Sequence, residues 1–285
     1  MELDPTYAPA HAALADCYNQ LGTVMVSSGS PREWRPRAAA EAIKALQLDP
    51  YSAEAHATLG YVRHYQWQWS EAEQEFRRAL ELNPSSSLAR IWYANLLMTR
   101  RRMDEALQQV FAARDLDPFS LAVNTNVAWV LTYAGRYEEA VAQLERTLEL
   151  DSTYVQAHQR LVEPLRGVGR VGEAVAAAQR VVALTQRSPF SLSRLASIHA
   201  QTGQIAQARM ILGELLATAD REYVPPWTFV HPYVALGDIE SAVTWAEKAF
   251  EEGSNGIAYL TPDPDLAQLR VHPRIRALMT RARLE

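Results

Sequence analysis

The chain reads as an all-α solenoid of stacked helix pairs, and three observations predict it. Short strings recur at Leu3-Asp4-Pro5, Leu48-Asp49-Pro50, Leu82-Asn83-Pro84 and Leu116-Asp117-Pro118, with Leu150-Asp151-Ser152 as a degenerate fifth copy; from the second onward they are 34 residues apart. Alanine keeps the same spacing at Ala38, Ala72, Ala106, Ala140, Ala174, Ala208 and Ala242. Glycine does so at Gly135, Gly169, Gly203 and Gly237, with Gly22 in the equivalent place of the first unit. A fixed period of this size marks an architecture in which each unit buries its apolar face against its neighbours.

The period divides residues 1–252 into units of about 6–50, 51–84, 85–118, 119–152, 153–186, 187–220 and 221–252. Residues 1–5 read as the last turn of a second helix whose partner is missing, which leaves an open edge. Unit one carries 11 extra residues, since Leu3 to Leu48 spans 45 positions instead of 34. The excess falls at 23–35 and is expected to be a longer loop, which costs little. In unit two, Leu59, Gly60 and Val62 mark a first helix, and Ala72, Phe76, Ala79 and Leu80 a second, at helical spacing. Ser70-x-x-Glu73 has the form of a capping box opening that second helix.

Glycine between paired helices supplies the positive φ of a tight turn; at Trp67 and Arg101, where it is missing, the turn is expected to close differently. Gly60, Ala94, Ala128, Ala196 and the alanine column let helices approach closely. Pro164 and Pro232 fall inside first helices and should kink them. After Phe250 the period ends. Pro262-Asp263-Pro264 opens a short helix and His272-Pro273 another, so residues 253–285 read as a helical cap.

The small residue in each first helix, the alanine and large apolar residue in each second, and the closing proline resemble the tetratricopeptide repeat over about residues 3–252. The resemblance implies a right-handed superhelix of about seven helix-turn-helix units, its concave face lined by first helices. Residues 65–84 (Tyr65-Gln-Trp67-Gln-Trp69-Ser-Glu-Ala72 running on to Phe76-Arg-Arg-Ala79-Leu80), the unit-one insertion, Tyr223-Val-Pro-Pro226 and the close at 257–274 are similar to the repeat tails of bacterial multidomain regulators. In those, a winged-helix, nucleotide-cyclase or protein-kinase domain precedes the array. The resemblance implies an interaction or sensory part whose upstream effector domain is missing.

Composition excludes several classes. With 48% hydrophobic and 21% charged residues the chain is not of the disordered type. A net charge of −5 does not suit direct nucleic-acid binding. Arginine supplies nearly all the cations, Lys44 and Lys248 being the two lysines, which reads as a codon-composition bias. Cys17 is the single cysteine and no membrane span or secretory leader is legible, so a cytoplasmic, reducing setting is expected.

Chemical motifs are sparse. Gly167-Val-Gly169-Arg-Val-Gly172 matches a dinucleotide string, but a helix precedes it where a strand is required. His11, His56 and His158 share one column in separate units and cannot share a metal. Cys17 reads as a small packed residue, and Arg100-Arg101-Arg102 as a solvated turn. No enzyme, cofactor or metal is expected.

The repeat register points Tyr61, Tyr65, Trp92, Asn95, Asn126, Trp129, Tyr133, Arg160, Arg166 and Arg194 into the groove. Aromatic residues and arginine dominate binding energy at interfaces. Their order is aromatic in units two to four and basic in units five and six, which complements a peptide with apolar anchors and an acidic end. Asn95, Asn126 and Arg160 match part of the repeat clamp for acidic carboxyl-terminal peptides, but Ile91 and Gln156 replace its lysines, so no conventional clamp is expected. The expected role is a non-catalytic module holding a peptide or protein segment, without nucleic-acid or membrane partners. The rival is a spacer or homodimerisation scaffold without a groove ligand.

Overall fold

The computed structural model describes residues 5–23 and 29–284, and their regular elements are all helical. The expectations for residues 1–4 and for positions 24–28 of the insertion lie outside the described residues. The α-helices run in order α1 (Ala8–Leu21), α2 (Pro31–Leu48), α3 (Ala53–Tyr65), α4 (Trp69–Leu82), α5 (Ser87–Thr99), α6 (Met103–Leu116), α7 (Leu121–Tyr133) and α8 (Tyr137–Leu150). They continue as α9 (Val155–Gly167), α10 (Val171–Leu184), α11 (Pro189–Gln201), α12 (Ile205–Ala219), α13 (Val230–Ala235), α14 (Ile239–Glu251), α15 (Ala267–Arg270) and α16 (Pro273–Arg281). Short 3-10 turns at Pro226–Phe229, Asn255–Tyr259 and Pro264–Leu266 complete the set. From α1 to α12 each helix packs on the next, α13 packs on α11 and α14, and α1, α3, α5, α7 and α9 stack in succession. This is the solenoid the period predicts.

The alanine column is the reason pairs stack so closely. All seven alanines are 0% exposed. Gly60 obeys the same constraint, since a Cβ there would lie 2.9 Å from the Phe76 ring.

A second column was not legible as such. His11, His56 and His158 donate Nε2–H to the carbonyls of Pro5, Pro50 and Ser152 at 3.0, 3.2 and 3.0 Å. Arg90 and Asn124, at the same place in their units, donate to Pro84 and Pro118 at 2.9 and 2.8 Å. Each side chain thus ties its own helix to the loop six residues back. The histidines are loop staples, and among the described residues no group of three metal-ligating side chains converges.

Helix ends bring three corrections. Ser70-x-x-Glu73 does not cap α4, whose N-cap is Gln68 without a side-chain bond. Glu73 instead accepts from Tyr93 at 2.8 Å and from Arg77 and Arg102 at 2.7 and 2.8 Å. Serines that do cap include Ser52, Ser86 and Ser120, each two residues after a loop proline, which accept from free N–H groups in the first turns of α3, α5 and α7. Trp67 and Arg101 do not close their turns differently. They adopt the left-handed φ (62° and 59°) that Gly135, Gly169, Gly203 and Gly237 adopt at 74–80°. The closing bonds are also the same: Gln68 N–H to the Arg63 carbonyl and Arg102 N–H to the Leu97 carbonyl, both 2.9 Å. Gly22, by contrast, has φ −80° and is no such turn glycine.

Further expectations change. The insertion is not all loop: α2 starts at Pro31 and runs 18 residues against 14 in α4, so residues 31–34 form an extra turn of helix. Pro164 is carried inside α9 near its end, where few i→i−4 bonds remain to lose, and α9 stays continuous. Pro232 lies in the six-residue α13, entered through the Pro226–Phe229 turn, so the first helix of the last unit is broken up instead of kinked. Cys17 is exposed, not packed.

The array comes round until its ends meet. Trp67, at the α3–α4 turn, stacks on Phe250 of α14 with centroids 4.5 Å apart and planes 10° from parallel. Arg35, just after the extra turn of α2, is 7% exposed. It donates to the Tyr65 carbonyl at 2.6 Å, to the Gly253 carbonyl and to Asn255 Oδ1. Beyond α14, α16 packs on α14 as a terminal cover. The stretch 255–265 does something else: it crosses the concave side.

Candidate functional site

The concave side holds a cavity of about 480 Å³. Its wall takes residues from α1, α3, α5, α7, α9 and α11, from the Pro226–Phe229 and Asn255–Tyr259 turns, and from α13. Nine of the ten residues expected in the groove line it: Tyr61, Tyr65, Trp92, Asn95, Asn126, Trp129, Tyr133, Arg160 and Arg194. Arg166 does not. Its guanidinium is held by Glu163 and, at 2.7 Å, by Asp265, off the cavity wall. The cause is the chain's own Asp265, whose approach the register of the repeats does not reveal.

The aromatic residues are a continuous set. Tyr61 packs on Tyr65 and Trp92 with centroids 4.8 and 4.9 Å apart. Trp129 meets Tyr133 edge-on at 6.1 Å and Tyr259 at 5.1 Å. Tyr65 and Trp92 are buried, while Tyr61, Trp129 and Tyr133 keep part of their surface open to the cavity. Burial pushes the Tyr65 and Tyr133 hydroxyls well above the usual tyrosine range, so they stay protonated and act as donors or acceptors only.

Arg160 packs on Trp129, its Cζ 3.5 Å from the ring centroid. Burial brings Arg160 down to about 10, with Arg194 adding repulsion. Arg194 lies on Phe190 at 5.9 Å. Among the described residues neither arginine donates to a carboxylate. Asn95 Oδ1 and Thr228 Oγ1, on residues 6% and 2% exposed, are buried without hydrogen-bond partners.

The stretch 255–265 supplies residues that sequence reasoning placed only in the cap. The Tyr259 hydroxyl lies 2.9 Å from that of Tyr65. Asp263 accepts from Tyr133 at 3.3 Å and pairs with His231 at 3.0 Å. Burial alone would raise Asp263, but His231 and Arg194 hold it below the usual carboxylate range. Asp265 takes Arg166 and, at 2.8 Å, Gln201. Gly256 permits the crossing, because a Cβ there would meet the Trp227 ring at 2.1 Å.

The dinucleotide string forms the α9–α10 turn, with helix on both sides and no strand before it. Arg100 is not merely solvated: it donates to the Arg283 carbonyl at 2.9 Å and covers Trp69. No helix among the described residues is long and apolar enough to cross a membrane.

Residues 59–120 and 125–150 match the tetratricopeptide repeat family. A tetratricopeptide repeat protein from Parabacteroides merdae superposes with a TM-score of 0.60 at 15% identity, covering 93% of this chain and all of that one. PilW, a type IV pilus biogenesis factor, gives 0.57 at 20% identity over 79% of this chain and 98% of its own. Pseudomonas aeruginosa PilF gives 0.53 at 20% identity over 81% and 99%. No curated protein matches the chain. The chain is thus a solenoid of tetratricopeptide-repeat type in fold.

Proposed function

We propose that this chain is a non-catalytic interaction module that holds a segment of a protein partner in its concave cavity. The observation that carries the reading is the pair Arg160 and Arg194, two cations that among the described residues donate no hydrogen bond to a carboxylate, beside the aromatic residues Tyr61, Trp92 and Trp129. An acidic residue of the partner would answer the arginines and an apolar residue would cover the rings. Asn126 reaches the same space and can donate to a peptide backbone once its bond to the Ala122 carbonyl, 2.8 Å, is exchanged. The likeness of residues 65–84 and 257–274 to regulator tails supports placing the module within a larger bacterial regulator.

The test is fluorescence polarisation with labelled decapeptides that pair an aromatic residue with an acidic end, against counterparts in which lysine replaces the acid. The acidic set should bind, and a Trp129→Ala, Arg160→Ala double variant, folded by circular dichroism, should not. Binding undiminished by the double variant would overturn the assignment.

A further inference from the structure

We infer that the concave cavity is also a receptor for a small aromatic carboxylic acid, bound without any attached protein chain. The inference goes beyond the docking of a partner segment, although the two ligands would compete for the same arginines.

The first reason is space. The long track across the concave side is already occupied by the chain's own backbone at 255–265. Tyr259 is buried against Tyr65 and Trp129, Asp263 is fastened to Tyr133 and His231, and Asp265 to Arg166 and Gln201. This stretch is not a displaceable strap, because Ile257, Leu260 and Leu266 are fully buried in the core. What remains is about 480 Å³, within the roughly 300–1,000 Å³ typical of small-ligand sites.

The second reason is the chemistry left unanswered in that space. Arg160 packs on Trp129 and, among the described residues, makes no side-chain hydrogen bond, so its guanidinium has N–H groups to offer a carboxylate. Arg194 adds a second cation from the neighbouring α11. Asp263, bonded to Tyr133 and His231, lies near enough to Arg194 to feel its charge, and Asp265 is bonded to Arg166; among the described residues neither carboxylate hydrogen-bonds to Arg160 or Arg194. Tyr61 and Trp92 offer ring surfaces to the body of the acid. Asn95 Oδ1 is buried and unpaired on the same wall, so a hydroxyl or N–H on the ligand gains a bond there.

The experiment uses the whole chain and isothermal titration with benzoate, phenylacetate, 4-hydroxyphenylacetate and indole-3-acetate, each beside its neutral amide. At least one acid should bind with one-to-one stoichiometry, and its amide should bind at least tenfold more weakly. Arg160→Met should weaken the acid by about 10- to 100-fold, the worth of a charge-assisted hydrogen bond. Arg194→Gln serves as a second variant should the first lose its fold. The bound acid should also displace an acidic decapeptide. Failure of all four acids to bind folded protein, or equal binding of acid and amide, overturns the inference. If decapeptides bind while free acids do not, the docking reading stands and this one falls. If acids bind while decapeptides do not, the reverse holds.

Discussion

Removing the Arg35 guanidinium should open the ring at its seam. Arg35 is buried and donates to three acceptors drawn from α3 and the residues just beyond α14. Charge-assisted hydrogen bonds contribute about 1.5–3 kcal/mol each, so three give roughly 5–9 kcal/mol in gross terms. Against this stands the cost of burying the cation. Burial holds Arg35 at about 10 against its ordinary 12.5, and at about 1.4 kcal/mol per unit that is roughly 3 kcal/mol. The difference leaves about 2–6 kcal/mol, close to the cost of breaking a buried ion pair. Arg35→Met keeps most of the side-chain volume, so the loss reports the bonds and not a cavity. Urea denaturation followed by tryptophan fluorescence should show that loss. Hydrogen exchange should then quicken at residues 253–259 before it does in α5–α8, which the bond does not touch. Unchanged stability together with unchanged exchange at 253–259 would refute the seam as a source of structure.

Other outcomes follow from the same geometry. Ala140→Leu in the fully buried alanine column should cost about 1–3 kcal/mol by overpacking, read by chemical denaturation. The three glycines of the dinucleotide-like string should respond to alanine in three ways. Gly167→Ala places a Cβ 2.6 Å from the Tyr137 ring and should destabilise most. Gly169→Ala pays only for φ +79°, about 1–2 kcal/mol, and Gly172→Ala, in open space on α10, should stabilise by about 0.5–1 kcal/mol. His64 is held at about 3 by burial and by nearby Arg35. Its neutral form is the folded one, so its contribution is complete above pH 6.5 and is lost as pH falls from 6.5 towards 3, by up to about 1.4 kcal/mol per unit. The pH dependence of stability in that window should flatten in His64→Asn relative to the parent.

The repeat fold was legible because one constraint acts at every unit. A residue that must be small where two helices cross must be small seven times, and the alanine column states this directly. The turns were legible only in part. Glycine signals a left-handed residue, but Trp67 and Arg101 take the same conformation because the bonds from Gln68 and Arg102 back to the preceding helix demand it, and Trp67 is further held by Phe250. The capping serines escaped notice for a different reason. They stand in loops that otherwise read as punctuation, whereas Ser70 and Glu73 matched a motif whose acidic member was needed elsewhere, by Tyr93 and Arg102.

The cavity shows where a one-dimensional register stops being sufficient. The repeats place nine of the ten candidate side chains on the inner wall, because any first-helix position that faces the axis must do so in every unit. They say nothing of what lies across the axis. That depends on contacts such as Tyr65 with Tyr259 and Arg35 with Asn255, which join residues 194 and 220 positions apart. Arg166 was misplaced for this reason alone. Yet the order of residues carries a trace of the answer. The wall runs from aromatic in α3–α7 to basic in α9 and α11, and the crossing stretch runs from Ile257 and Tyr259 to Asp263 and Asp265. The apolar-then-acidic segment that best complements this groove is one the chain itself carries. That segment leaves Arg160 and Arg194 without a hydrogen-bonded carboxylate among the described residues, and on the proposed reading these two cations, with Asn95 and Asn126 on the same wall, give a ligand its polar anchors.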